Sequence, residues 1–534
     1  MSKYNKVSSN TVVNLEGGTG VKQSNEIALI SLMATGLEGR FYEMEKERET
    51  RLVTLIQAVG IKDPFLLAQI IVYTRVILGQ RSITHRAAVA AAQIFSGQTW
   101  AKWFYAKWNK RDKVGGAVFR LDDITEMASC YMHYNKGKAL PNSMKKGFAL
   151  ALQSADRYEL AKYQSTGKDV SLVDVFNLVH PNARVAKAPE AFKELMAGTL
   201  KQHNTAEDKQ SAAGQEVAAK VIAGTLTQTE ATEELKKAKT ENWKELINTK
   251  KIGYLALLRN LRNILKSDDA ELNKAARTLL TDHKFIHTGG ALVFPHQIDL
   301  AAMVVLDEFK SPQGRKMAVA LNDAYESSVD NVFELGFTED TAIVFDTSAS
   351  MTSSGYSWGR TTMNGKETTL VPHEKSTLIA ATLAKGVGAD VYHFGSSCAE
   401  VSYNPVDSIF TIKDKFHKVA GQCGHGTSFG SIFSTLKRSY SRVFIISDEQ
   451  GGDSILHSSS YQDYTRKYGT PYIYSIDLTG YGTTMFKQNG KLCTLAGYSA
   501  HIYETIKRYE TDPNALLTEI KAIKIVPKEL DSIK

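Results

Sequence analysis

Two hydrophobic patterns divide the chain. From about residue 26 to residue 310, apolar residues recur at helical spacing, with 50–59, 63–78, 84–95 and 124–134 reading as amphipathic helices and little alternation of strand type. After residue 340 the pattern changes to short apolar runs: Thr341-Ala-Ile-Val-Phe-Asp346, Ala389-Asp-Val-Tyr-His-Phe394, Arg442-Val-Phe-Ile-Ile-Ser-Asp448 and Pro471-Tyr-Ile-Tyr-Ser-Ile476. An amphipathic stretch at 373–388 separates the first two. Apolar strands alternating with amphipathic helices predict a parallel, doubly wound α/β sheet, which takes ligands at the carboxyl ends of its strands.

Short amphipathic helices in series bury their apolar faces only by stacking on one another, as in helical-repeat solenoids, although no strict period is visible here. Residues 202–240 are polar, alanine-rich and helix-forming with few large apolar side chains, which predicts an exposed helical excursion or a mobile insertion. The expected division is a helical-repeat domain over 1–338 and an α/β domain over 339–534.

The first apolar run ends in Asp346-x-Ser348-x-Ser350, one carboxylate and two hydroxyls at the carboxyl end of a strand. Mg²⁺ prefers oxygen ligands in octahedral geometry and keeps waters, so neutral hydroxyls with more distant carboxylates can hold it, leaving a position open to a partner's oxygen. Asp448 ends another such strand, and Thr427 closes the glycine-rich loop Gly421-Gln-Cys-Gly-His-Gly-Thr427 before a helix. This arrangement resembles the von Willebrand factor A domain with its metal-ion-dependent adhesion site. The resemblance implies that Ser348, Ser350 and Thr427 supply hydroxyls and Asp346 and Asp448 supply carboxylates, some through water, to Mg²⁺ or another divalent cation. The alternative from residue types alone is an ordinary nucleotide-binding or hydrolase sheet whose Ser and Thr cap helices. The stretch 352–366, rich in Gly, Ser and Thr, is longer than the usual loop after such a site and could cover it.

Composition is that of a soluble globular protein, with 43% hydrophobic and 23% charged residues among 534. No run approaches a membrane span and the first residues lack a signal pattern, so a cytoplasmic protein is expected. Four scattered cysteines without Cys-x-x-Cys spacing argue against a disulfide framework or a zinc site. The net charge of +8 is uneven: residues 340–534 hold 20 Lys and Arg against 19 Asp and Glu, the preceding part 45 against 38. The basic excess thus lies among the predicted helices, where solvated lysines and a nucleic-acid surface are both ordinary readings.

Further patterns point to one family: Glu16-Gly-Gly-Thr19, Lys162-Tyr163, Asp174-Val-Phe-Asn-Leu-Val-His180-Pro181, and Trp243 with Leu255-Ala-Leu-Leu-Arg-Asn-Leu261. In this order, and followed by the A-type domain, they resemble the TROVE module of the Ro autoantigen proteins, in a bacterial or phage form. The resemblance spans residues 14–525. It implies an α-helical HEAT-like repeat ring closed by the A domain, and a monomeric cytoplasmic ribonucleoprotein component or RNA quality-control factor. Its partners would be Y-like noncoding RNA on the outer surface and single-stranded RNA 3′ ends in a basic central hole, rather than DNA or membrane. An exoribonuclease or another protein could join through the metal site.

RNA binding needs cations along a backbone path, with affinity coming largely from counterion release. Lys145, Lys146, Lys162, Lys168, His180, Arg184 and Lys187 supply them across neighbouring helices, and Lys162 and His180 match the family's RNA-contacting stretch by position. The loop 164–169 around Lys168 is less basic than that family's. His180 before Pro181 also reads as a helix C-terminal cap. Trp100, Trp103, Phe104, Tyr105 and Trp108, interleaved with basic residues, suit base stacking, but aromatics at helical spacing are more often core. Arg259 and Arg262 share a helix face and could line a channel or pair with carboxylates.

An enzyme would need the cation to activate water with Asp448 or Glu449 as base. No Walker loop, His-Glu-x-x-His or nucleophile elbow accompanies the site, so a non-enzymatic binding protein is expected. The competing expectation is an A-domain protein whose helical part is a scaffold for metal-dependent protein recognition.

Overall fold

The computed structural model describes residues 11–164, 168–200, 206–288, 295–337, 340–352, 362–363, 366–367, 371–453, 458–486 and 490–527. Its described strands are β1 (Thr11–Val13), β2 (Thr19–Lys22), β3 (Thr341–Asp346), β4 (Thr362–Met363), β5 (Lys366–Glu367), β6 (Asp390–Phe394), β7 (Cys398–Glu400), β8 (Arg442–Ser447), β9 (Tyr472–Asp477), β10 (Thr483–Thr484) and β11 (Leu492–Ala496). Most of the expected loop at 352–366 lies outside the described residues, apart from the short β4–β5 ladder.

The chain forms two compact units, Met1–Ile94 with Val329–Ile523, and Phe95–Ser328 with Lys524–Lys534. This differs from the division expected at 338/339, because the N-terminal segment folds with the α/β sheet. The reason is specific pairing. β2 pairs antiparallel with β1 on one side and with β10 on the other, so residues near 20 join residues near 483. Helix Asn25–Thr35 packs on β11. Arg48, fully buried in helix Glu45–Lys62, donates from Nη1 to the Thr479 carbonyl at 2.8 Å and from Nη2 to the Gly36 carbonyl at 2.7 Å. A guanidinium out of water persists only where its N–H groups are satisfied in this way.

The main sheet of the first unit runs β11-β9-β8-β3-β6-β7, parallel except for the antiparallel edge strand β7. Alternation of side chains dresses both faces. On one, Ala342, Val344, Val443, Ile445 and Ile473 join Phe429, Ile432 and Phe433 of helix Phe429–Thr435 and Tyr464 of helix Ser459–Tyr468. On the other, Phe345 stacks on Phe416 of helix Ile409–His417 at 5.3 Å between ring centroids, and helix Pro372–Val387 packs on β3. The latter helix begins with Pro372, whose missing N–H costs nothing in a first turn, and ends at Gly388 in the left-handed region, φ 66°. The expected doubly wound arrangement is therefore present, with one antiparallel edge.

The second unit is helical. Helices Asp123–Tyr134, Asn142–Ser154 and Leu172–Val179 pack together in its first half, and Tyr254–Lys266, His296–Glu308 and Pro312–Ser328 in its second. The segment expected to be an excursion or insertion is a helical hairpin, with Ala206–Ile222 against Gln228–Asn248 and the latter against Ala270–Leu280. Of the aromatic cluster, Trp100, Phe104, Tyr105 and Trp108 are core and Trp103 is half-buried; Phe95, Phe104, Tyr105 and Phe148 meet edge to face. Arg262 is buried and paired with Glu308, which settles it as a carboxylate partner, whereas Arg259 is exposed. No described helix is long and apolar enough to cross a membrane.

Candidate metal centre and nucleic-acid interface

β3 is the switch point of its sheet, with β6 on one side and β8 on the other, and chain direction opens a crevice at its carboxyl end. Asp346 is the last residue of β3 and Asp448 follows β8, so both carboxylates enter that crevice. The loops around it are tied by backbone bonds: Thr347 N–H to the Phe394 carbonyl at 2.8 Å, Ala349 N–H to the His425 carbonyl at 2.9 Å, and Gly452 N–H to the Thr427 carbonyl at 3.0 Å. Gly395 permits a close approach of two of these loops, since a β carbon there would stand 2.4 Å from the Gly424 carbonyl oxygen.

All five residues expected to surround a cation are buried. Asp346 accepts from Ser348 N–H at 2.8 Å on one oxygen and from the Ser447 hydroxyl at 2.7 Å on the other. The Ser348 and Ser350 hydroxyls lie 3.2 Å apart. Asp448 Oδ1 accepts from Gln450 N–H at 3.1 Å, while its Oδ2 is buried without a partner. Burial raises the pKa of both carboxylates, and for Asp448 the charge of Asp346 is the next cause. Two buried like charges with an orphaned oxygen, and with no Lys or Arg paired to them among the described residues, are unfavourable unless a cation joins them. The donor set of hydroxyls and carboxylates fits a hard divalent ion.

Glu449, one of the two candidate bases, turns away from this crevice. With φ 59° it aims its carboxylate at Ser475, at the Thr484 hydroxyl, 2.9 Å, and at Met485 N–H, 2.9 Å, which occupies both oxygens. It braces β9 and β10 rather than facing the crevice.

Two residues that sequence reasoning did not place here come from the N-terminal segment. Glu16 stands near Thr427, its Oε1 and the Thr427 carbonyl both close to Gly452, and its pKa is raised first by burial and further by the charge of Asp453. Tyr42 stands against Tyr481, 5.8 Å between ring centroids, and its phenol is raised first by burial, then by the charges of Glu16 and Asp448. The pattern Glu16-Gly-Gly-Thr19 was a signal of resemblance, but nothing in local spacing links it to Thr427.

The basic residues occupy one stretch of the helical unit. Lys145 and Lys146 lie in helix Asn142–Ser154, Lys162 ends helix Arg157–Lys162, and Arg184 lies in the 3-10 turn Ala183–Val185. Asn182 N–H donates to Gln153 Oε1 at 3.0 Å and Lys187 N–H to the Gln153 carbonyl at 2.8 Å, which brings His180, Arg184 and Lys187 beside the end of helix Asn142–Ser154. His180 is the left-handed C-cap of helix Leu172–Val179, φ 47°, and its side chain is exposed. Lys168 pairs with Glu126, and Lys187 with Asp156 at 3.4 Å. Lys162 lies over the rings of Tyr158 and Tyr163, 5.5 and 5.6 Å from their centroids. Lys145, Lys146 and Arg184 have no carboxylate partner among the described residues.

No family model matches the chain and no curated protein matches it. Its fold is similar to the crystal structure of the Ro (RSR) protein of Deinococcus radiodurans, with a TM-score of 0.50 and 15% identity over 91% of this chain and 99% of that one. The Ro resemblance carried by the sequence patterns is thus met by a likeness of fold over nearly the whole chain.

Proposed function

We propose that this chain is a non-enzymatic RNA-binding protein of the Ro type, which takes noncoding RNA on the basic surface of its helical unit. The observation that carries the reading is the shared fold with a Ro protein over nearly the whole chain, joined to the basic stretch 145–187 where the sequence resemblance expects RNA contacts. In this reading the helical repeats form a ring. Y-like RNA binds outside, and single-stranded 3′ ends enter a basic hole, with Lys145, Lys146, Lys162, Lys168, His180, Arg184 and Lys187 along the path. Affinity would come mostly from phosphate neutralisation, with tyrosine faces such as Tyr158 available to unpaired bases.

The crevice at β3 and β8 belongs to the same proposal as a site for Mg²⁺, held by Asp346, Ser348, Ser350, Thr427 and Asp448. A bound cation there supplies electrostatic cohesion between two buried carboxylates and a Lewis-acidic position for an oxygen ligand. Asp346 and Asp448 carry the charge, Ser447 and Gln450 fix their orientation, and the placement of Glu449 argues against hydrolysis.

Sequencing of RNA crosslinked to the protein in its native cells tests the reading, with a Lys162→Ala, His180→Ala double variant as control. Structured noncoding RNAs or single-stranded 3′ tails, enriched with the parent and lost with the variant, are expected. An RNA-free protein that retains protein partners only in Mg²⁺ would replace it with metal-dependent protein recognition.

A further inference from the structure

The candidate metal centre is flanked by the chain's own N-terminal segment around residues 14–18. The turn after β1 is pinned to the loop after β8 by Asn14 Nδ2, which donates to the Gly451 carbonyl at 2.8 Å, and by Leu15 N–H, which donates to Gln450 Oε1 at 2.8 Å. Asn14 Oδ1 accepts from Glu16 N–H at 3.0 Å and from Gly18 N–H at 3.1 Å, so the residue that anchors the turn also shapes it. The approach is so close that a β carbon on Gly18 would stand 2.1 Å from the Gly451 carbonyl oxygen. Gln450, whose backbone orients Asp448, is therefore the same residue that holds Leu15.

This turn delivers one carboxylate to the crevice. Glu16 Oε1 and the Thr427 carbonyl both lie around the α carbon of Gly452, where an added β carbon would meet them at 3.8 and 4.0 Å. Glu16 Oε2 is out of solvent and accepts no hydrogen bond. Asp448 Oδ2 is likewise buried and unpartnered. A carboxylate beside the Thr427 carbonyl, with one oxygen shut from solvent and unpartnered and a charge that acts on Asp346, has the placement of a cation ligand next to the unpartnered Asp448.

We propose that Glu16 is a ligand of the divalent cation from within the same chain, taking the position that an external carboxylate would fill in an open site of this kind. The inference rests on the reading that Asp346 and Asp448 hold such a cation. The ion then ties β1–β2 to the carboxyl end of the sheet, and an acidic partner can reach it only by displacing Glu16. This closes the site that sequence reasoning left open to a partner's oxygen.

Mn²⁺ titration of the full-length protein, read by electron paramagnetic resonance and by water proton relaxation, tests it with Glu16→Gln, Glu16→Asp and Asp346→Ala. Glu16→Gln keeps size and hydrogen bonding while removing the charge. Parent protein should bind one Mn²⁺, Asp346→Ala none, and Glu16→Gln should bind about tenfold to a hundredfold more weakly, with faster water relaxation as solvent takes the vacated position. Added acetate should slow that relaxation in Glu16→Gln and leave the parent unchanged, and Glu16→Asp should fall between them. If Glu16→Gln binds as tightly as the parent with the same relaxation, Glu16 is not a ligand and the cation reading stands without it. If the parent binds no Mn²⁺, the cation reading fails and the proposal fails with it.

Discussion

The carboxylate crevice and the basic stretch are built by opposite means. At the crevice Asp346 and Asp448 are out of water, Glu16 is half-buried, and among the described residues Asp448 Oδ2 and Glu16 Oε2 are shut from solvent without a hydrogen-bond partner. Along residues 145–187 the cations are mostly exposed, and two of the seven are engaged by nearby carboxylates. Buried charge requires a specific complement, whereas exposed charge tolerates water, carboxylate or phosphate with little difference in energy. The first region therefore announces its ligand chemistry through what is missing, and the second only through what it has in excess.

The largest expected effect concerns the attachment of the N-terminal segment to the sheet. Arg48→Met takes a buried donor from the Gly36 and Thr479 carbonyls and from Glu43, although Thr479 keeps the Thr35 hydroxyl and Glu43 keeps Arg51, and should cost about 3–5 kcal/mol of stability in urea unfolding. A loss under about 1 kcal/mol, the size expected of a surface ion pair, would place Arg48 with the basic stretch instead.

This pairing also marks where the sequence stops being legible. Asp346 could be read from sequence because an apolar run, a terminal carboxylate and two hydroxyls sit within a few residues. Arg48 looks like any cation on an amphipathic helix, since its partner Thr479 is 431 residues away. β2, four residues with a glycine, has no strand signature of its own and is a strand because β1 and β10 flank it. Glu16 was visible as a pattern and invisible as chemistry for the same reason. Lys168 and Lys187 were legible as cations, but not their partners, 42 and 31 residues distant.

The next effect isolates the metal centre. Saturating Mg²⁺ at about a hundred times its Kd should add about 2.7 kcal/mol to the stability of the unit that contains β3. Asp346→Ala should abolish that gain, as melting with and without the ion would show. The same variant should hold single-stranded RNA as tightly as the parent in fluorescence anisotropy. Parallel loss of RNA affinity in a variant that still melts cooperatively would make the crevice and the basic stretch one functional site.

A smaller effect sharpens the basic half. Lys162→Ala with His180→Ala should weaken binding of a single-stranded RNA 3′ end by about tenfold at low salt, and flatten the dependence of log K on log salt by about 1. An unchanged slope with reduced affinity would mean that the two side chains contact bases rather than phosphates.

The smallest effect decides how RNA meets cations that already have partners. The Lys168–Glu126 and Lys187–Asp156 pairs are exposed, with the lysines 47% and 61% accessible, and such pairs are worth about 0–1 kcal/mol. A phosphate must first displace a carboxylate there, and the displaced Glu126 or Asp156 remains near the RNA backbone as a like charge. Lys168→Ala with Lys187→Ala should therefore weaken RNA binding by less than about threefold, because part of each lysine's attraction for phosphate is already offset by its partner. Glu126→Gln should act in the opposite direction and strengthen binding slightly, more at low salt than at high. If the lysine pair instead matters as much as Lys162 and His180, the carboxylates are pushed aside at no cost, and the excess of cations rather than their pairing decides where RNA binds.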